Sequence, residues 1–155
     1  MFGNIPPDDI RNGIWISSGA LTDWTLDSTL GDWAPRLMVC NNGDLYAGAF
    51  WALAPPYKGV LYKRGGGGWI SVLDGSLTTP TFSWPWTITE CEGYLFMGTL
   101  DGQIWLSSNG GSSWSHYKTF ATGTAVCALL GWNKRLYAAC AYGGETGFWR
   151  SPEIK

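Results

Sequence analysis

Charge is scarce in this chain, and histidine nearly absent. Of 155 residues only 14% are charged, and His116 is the single imidazole, so no histidine-based triad, dyad or metal cluster can be assembled within one chain. Lysine and arginine gather nowhere beyond Lys63-Arg64 and Lys134-Arg135, and the net charge is −2. The basic footprint of a nucleic-acid binder is therefore missing. Long apolar runs are missing too: no window supplies the eighteen or so consecutive apolar residues of a membrane-spanning helix, so no such span is expected. Met1 to Asn12 holds Pro6-Pro7-Asp8-Asp9 and has neither a basic start nor an apolar core, which predicts no cleaved export signal and synthesis in the cytoplasm. Cys40, Cys91, Cys127 and Cys140 never form the C-x-x-C spacing of zinc sites and redox pairs. Three of them sit in apolar runs and read as small buried thiols of a reducing compartment, with a disulfide framework as the alternative. Gly65 to Gly68 lacks the Lys-Ser/Thr and the following helix of a phosphate loop and reads as a turn. No metal or cofactor is expected.

What the chain has in excess is glycine, at 22 residues, and tryptophan, at 11. Glycine in that quantity punctuates many tight turns, and 45% hydrophobic residues suffice for one sizeable core, so a single all-β domain is expected. The tryptophans are periodic. Trp24, Trp69 and Trp114 recur at a constant spacing of 45 residues. Each follows a turn segment, and before each turn stands a short apolar strand: Gly13 to Ile16, Gly59 to Tyr62, Gly102 to Leu106, and a fourth time Gly147 to Ser151. These strands bring Trp15, Trp105 and Trp149 into the repeat core as well. Upstream of three of them lies a hairpin pattern, Val39 to Gly48, Thr89 to Gly98 and Leu130 to Ala139, in the first two of which Asn-Gly or Glu-Gly precedes an apolar-aromatic run.

With the strands of one repeat termed inner, second, third and outer, the chain reads as third and outer, two complete sets, then inner, second and third. That is thirteen strands. Repeats of 40 to 50 residues with four short strands each are the signature of propeller blades. The expected fold is an all-β partial β-propeller of about three and a half four-stranded blades: an N-terminal extension at 1–12, a half blade at 13–30, blades at 35–75 and 86–118, and an incomplete blade at 124–155.

One turn carries a further resemblance. Ser107-Ser108-Asn109-Gly110-Gly111-Ser112-Ser113-Trp114 resembles the Asp-box, the S-x-D-x-G-x-T-W turn of sialidase-like and other BNR-repeat β-propellers, with Asn109 in place of the acid and Ser113 in place of the threonine. The match is partial at Ser17 to Trp24 and degenerate at Lys63 to Trp69. The resemblance implies that Ser107, Asn109, Gly111, Ser113 and Trp114 form a folding device linking a third strand to an outer one, with the polar side chain bonding its own turn and the indole packing between sheets. Sialidases of this family also need an arginine triad, a tyrosine nucleophile backed by a glutamate, and an aspartate acid. Arg11, Arg36, Arg64, Arg135 and Arg150 do not fall in the equivalent early-blade motif, so no catalytic residue is carried over.

A propeller ring closes with about four blades or more, and three and a half fall short. An open arc would leave the faces of its end blades bare, a larger apolar patch than soluble monomers tolerate. A homo-oligomer in which one copy completes another is expected, as in the similar small lectins that build a ring from two-blade chains.

Three functional readings follow. The first is a non-enzymatic structural or protein-interaction module that joins other protein subunits in a large particle such as a virion. The second is a lectin in which Trp51, Tyr57, Trp84 and Trp86, on the loop segments Phe50 to Tyr57 and Phe82 to Trp86, contact glycan or a protein partner. The third is a glycan-active hydrolase, for which Glu90, Glu92 and Asp101 are the available carboxylates, although all three also read as solvated turn acids.

Overall fold

The computed structural model describes residues 13–17, 24–29, 36–39, 43–51 and 58–155. The N-terminal extension at 1–12, the turn residues 18–23, Cys40, the Asn41-Asn42 turn and the loop 52–57 with Tyr57 lie outside the described residues.

Among the described residues there are thirteen strands and no helix, and every strand pair is antiparallel. A first sheet joins β1 (Gly13–Ser17) to β2 (Trp24–Thr29). The second contains β3 (Arg36–Val39), β4 (Leu45–Trp51), β5 (Lys58–Gly65) and β6 (Gly68–Asp74). The third contains β7 (Pro85–Cys91), β8 (Tyr94–Thr99), β9 (Gln103–Ser107) and β10 (Ser115–Thr119). A fourth contains β11 (Ala125–Trp132), β12 (Arg135–Ala141) and β13 (Gly147–Arg150). Within each sheet the spatial order is the chain order.

The turns explain the register. Glu92-Gly93 connects β7 to β8 with φ of 54° and 79°, and Asn133-Lys134 connects β11 to β12 with φ of 48° and 57°. Positive φ at both central residues is the two-residue hairpin geometry whose twist matches that of the strands it joins. These turns pin Cys91 opposite Tyr94 and Trp132 opposite Arg135. With the register fixed, side-chain alternation decides which residues face each neighbouring sheet.

Three apolar layers result, one between each pair of successive sheets. Ile14 of the first sheet packs with Ala47 and Ala49 of the second. Tyr46 and Leu61, on the opposite face of the second sheet, pack with Ile88, Leu95, Met97 and Trp105 of the third, and Phe82 fills the same layer. Phe96, Ile104 and Cys91, from the other face of the third, pack with Val126, Leu136, Ala138 and Cys140 of the fourth. Adjacent residues such as Tyr46 and Ala47, or Phe96 and Met97, thus serve opposite layers. Contact between sheets centres on β7, which touches β3, β4 and β5 on one side and β11 on the other.

The sequence reading put Phe82 to Trp86 on a loop. Pro85 and Trp86 instead open β7, and Phe82 is fully buried. Proline is compatible with that position because a strand's first residue can dispense with one ladder donor. Its Cδ also packs against the backbone where β5 begins, beside Gly59.

Two glycines set the spacing of the third and fourth sheets. A Cβ at Gly131 in β11 would stand 2.0 Å from the carbonyl oxygen of Glu90 in β7, and one at Gly98 in β8 would stand 2.6 Å from Val126 Cγ1. The Thr87 and Thr89 hydroxyls use this closeness, accepting hydrogen bonds from the amides of Leu129 at 3.3 Å and Gly131 at 3.2 Å. Gly131→Ala drives a methyl group into backbone that cannot swing aside. It is expected to lower unfolding stability by about 1–3 kcal/mol, the usual cost of overpacking. A denaturant midpoint equal to that of the unaltered chain would contradict this account of the sheet spacing.

Candidate functional site

The Ser107–Trp114 turn joins β9 to β10 and is held by its own polar side chains. Ser107 Oγ accepts from the Gly111 amide at 2.9 Å, and Asn109 Oδ1 accepts from the Ser113 amide at 2.9 Å. Asn109 Nδ2 donates to Ser113 Oγ at 2.8 Å, and the Trp114 indole N–H donates to the Gly111 carbonyl at 3.1 Å. Short polar side chains bonding backbone a few residues away stabilise a turn in just this manner. Trp114 is half-buried and packs on the layer between the second and third sheets.

The turn is also fastened to the sheet before it. Lys63 Nζ donates to the Gly110 carbonyl at 3.0 Å and forms an ion pair with Asp44 at 2.7 Å, while the Tyr46 hydroxyl donates to the Gly110 carbonyl at 3.4 Å. Gly111 lies directly against Tyr46. Its φ is +86°, and a Cβ there would stand 2.6 Å from the Tyr46 hydroxyl. The hydrogen bond to Asp44 raises the Lys63 pKa above its ordinary 10.5.

Trp69, Trp105 and Trp149 also pack in or on the layers between sheets. Trp69 packs on the layer between the first and second sheets, and its indole N–H donates to Asp27 Oδ2 of β2 at 2.9 Å, where Arg64 also pairs with Asp27. Trp105 is 3% exposed and donates to Gln103 Oε1 at 3.1 Å. Trp149 packs on the layer between the third and fourth sheets, edge-on to Phe120. Trp15 is half-buried in β1, and Trp24 opens β2.

Of the four aromatics proposed as contacts, the structure brings Trp84 and Trp86 together. Trp51 closes β4, and Tyr57 lies outside the described residues. Phe50 stacks on Trp84 with ring centroids 5.0 Å apart and planes 9° apart, and Trp86 meets Trp84 edge-on at 5.0 Å. The Arg36 guanidinium covers the Trp86 ring at 3.9 Å. One face of each ring is thus already occupied within the chain. Among the described residues, the buried Nε1 of Trp84 finds no acceptor.

Two of the three candidate carboxylates, Asp101 and Glu92, behave as turn groups, whereas Glu90 lies half-buried within β7 and is not the solvated turn acid expected from sequence. Asp101 accepts from the Ser83 amide at 2.9 Å and from Gln103 Nε2 at 3.2 Å, and it also bonds the Thr99 hydroxyl. Glu92 is an exposed turn residue. His116 meets Thr119 Oγ1 at 2.8 Å and lies edge-on to Trp105. Cys91, Cys127 and Cys140 are free thiols. Burial pushes the pKa of Cys91 and Cys140 upward, which keeps them protonated and poorly nucleophilic. Among the described residues no group of three or more His, Cys, Asp or Glu could hold a metal ion, and no helix is long and apolar enough to cross a membrane.

The sequence reading expected bare faces at the ends of the array without naming the residues that form them. On the outer face of the fourth sheet, Leu130, Trp132, Tyr137 and Phe148 surround an apolar groove of about 300 Å³. Leu130 is 59% exposed, Trp132 63% and Phe148 95%. The alternation Leu130-Gly131-Trp132 was the available signal, but from sequence it resembles any strand with one buried face.

Neither protein-family models nor curated protein sequences give a match to this chain.

Gly111→Ala is expected to lower stability by about 1–2 kcal/mol, because a side chain at positive φ is strained and here also meets Tyr46. Equal unfolding midpoints would dismiss the turn as a fastener. The Lys63 contribution has a definite sign: a raised lysine pKa stabilises the fold below the unfolded value near 10.5 and ceases to do so as pH rises through the folded value. The stability difference between the unaltered chain and Lys63→Met should therefore shrink in alkaline buffer, and a difference constant to pH 12 would contradict it.

Proposed function

We propose that the four sheets are blades of a partial β-propeller, about three and a half in number, and that the chain is a non-enzymatic subunit of a homo-oligomer. Its role is structural: it makes protein–protein contacts within a large particle such as a virion. The observation that carries this reading is the repetition of one sheet-to-sheet contact three times along the chain in equivalent register. Antiparallel sheets in chain order, meeting face to face through their early strands, fit a radial arrangement about an axis. The self-bonded Ser107–Trp114 turn supports the resemblance to Asp-box propellers, and its side chains are spent on folding, which favours architecture over catalysis.

A lectin is the second reading. It is favoured by Trp84, whose buried indole N–H lies unpaired beside two further rings and an arginine, a combination of apolar face and donor that suits a sugar. Against it, those rings pack on one another. The hydrolase reading gains nothing comparable, since Asp101 is engaged by Thr99 and Gln103 of its own turn and by the Ser83 amide.

Native mass spectrometry of the purified chain separates these possibilities from the start. A mass that is a multiple of the single chain, together with a glycan array showing no binding, is the expected result. A stable monomer at micromolar concentration would defeat the oligomer, and array binding abolished by Trp84→Ala would replace the structural reading with the lectin.

A further inference from the structure

The three internal interfaces share one residue pairing. In β5 and β9, Leu61 lies opposite Gly48 and Ile104 opposite Gly98, equivalent places in the repeated Leu-aromatic-x-Gly strands. Each faces the following sheet and is fully buried there. Ile14 occupies the same place in β1, as the match of Gly13-Ile14-Trp15-Ile16-Ser17 to Gln103-Ile104-Trp105-Leu106-Ser107 shows, and it is 3% exposed. The next residue along each strand points the other way, toward the preceding sheet. These are Tyr62, Trp105 and Trp149, opposite Ala47, Met97 and Ala138.

Each apolar layer accordingly pairs an aliphatic residue of one sheet with an aromatic of the next. The pairs are Ile14 with Tyr62, Leu61 with Trp105, and Ile104 with Trp149. Two members of the series are left over. Phe148, opposite Ala139 in β13, holds the forward-facing place in the fourth sheet and is 95% exposed. Trp15 holds the backward-facing place in the first sheet and is half-buried.

Other positions repeat the pattern. Cys91 and Phe96 of the third sheet are buried against the fourth, and their register equivalents in the fourth, Trp132 and Tyr137, line the open groove. The equivalent of buried Ile104 has become a larger, exposed phenylalanine. A surface that is solvated for good has no physical reason to carry Leu130, Trp132, Tyr137 and Phe148 on one face.

We propose that the outer face of the fourth sheet is the docking site for the first sheet of a second copy of this chain, with Phe148 of one copy packed on Trp15 of the next. The inference rests on the oligomer reading above and specifies its interface. The occupant follows from continuity: the face continues a contact already made three times, and the first sheet carries Trp15, the backward-facing aromatic of the series, which joins none of the three apolar layers. Such a contact is head-to-tail, so copies add in one direction and close when their rotations complete a turn.

The test compares the unaltered chain with Phe148→Asp and with paired cysteine substitutions at positions 15 and 148. Phe148 is exposed in the single chain, so Phe148→Asp leaves the fold intact by circular dichroism. It should weaken self-association at least roughly tenfold in sedimentation, as expected for a central aromatic anchor. Tyr117→Asp, on a different surface, should leave copy number unchanged. Under mild oxidation Trp15→Cys with Phe148→Cys should give a ladder of covalently linked chains, whereas either substitution alone should not. An unaltered chain that is monomeric overturns the oligomer reading and this interface together. Multiple copies that persist in Phe148→Asp, with no link between positions 15 and 148, overturn this interface alone. Efficient linking by Phe148→Cys alone points to two fourth sheets packed back to back and equally overturns it.

Discussion

A β-sheet has two faces, and in the second and third sheets of this chain both are dry. That requirement shapes the rest. Because side chains alternate along a strand, Tyr46 and Ala47, neighbours in sequence, are committed to different layers, and the same holds for Phe96 and Met97. Slipping one strand by one residue would exchange every inward and outward group. The hairpins at Glu92-Gly93 and Asn133-Lys134 therefore carry more responsibility than their size suggests, since they hold the register on which the layers on both sides of the third sheet depend.

The layers also explain the composition. Sheets that approach closely enough for threonine hydroxyls of β7 to reach β11 amides leave no room for side chains at Gly98 and Gly131. Tryptophan recurs where a sheet needs both apolar bulk and a donor, as Trp69 does with Asp27 and Trp114 with the Gly111 carbonyl. Cysteine serves as a small apolar filler: Cys91 and Cys140 share one layer without bonding to each other.

Much of this architecture was legible beforehand, for a physical reason. The 45-residue spacing of Trp24, Trp69 and Trp114, together with Gly-punctuated hairpins, reports local strand pairing, and every pairing here joins strands consecutive in the chain. What escaped was information carried by environment. Pro85 and Trp86 looked like loop residues because proline is rare in strands, yet at a strand's first position it forfeits nothing. The stacking of Phe50 on Trp84 depends on residues far apart in sequence, which no local pattern reveals. A bare end face was expected, but the residues that form it were not legible, for the opposite reason. Trp132 and Phe148 look like core residues because their counterparts one repeat earlier, Cys91 and Ile104, are core residues, and only three-dimensional packing shows them uncovered.

The Ser107–Trp114 turn has a consequence for how the molecule assembles. Its Gly110 carbonyl is gripped by Lys63 and Tyr46, residues that belong to the sheet completed earlier in the chain. Each finished sheet thus offers a template on which the following one is laid, with interactions reaching only nearest neighbours, as in a one-dimensional array. Order in such an array propagates from unit to unit, and protection of backbone amides should grade along it. It would be deepest in the third sheet, covered on both sides, and shallowest in the fourth, whose outer apolar face is exposed.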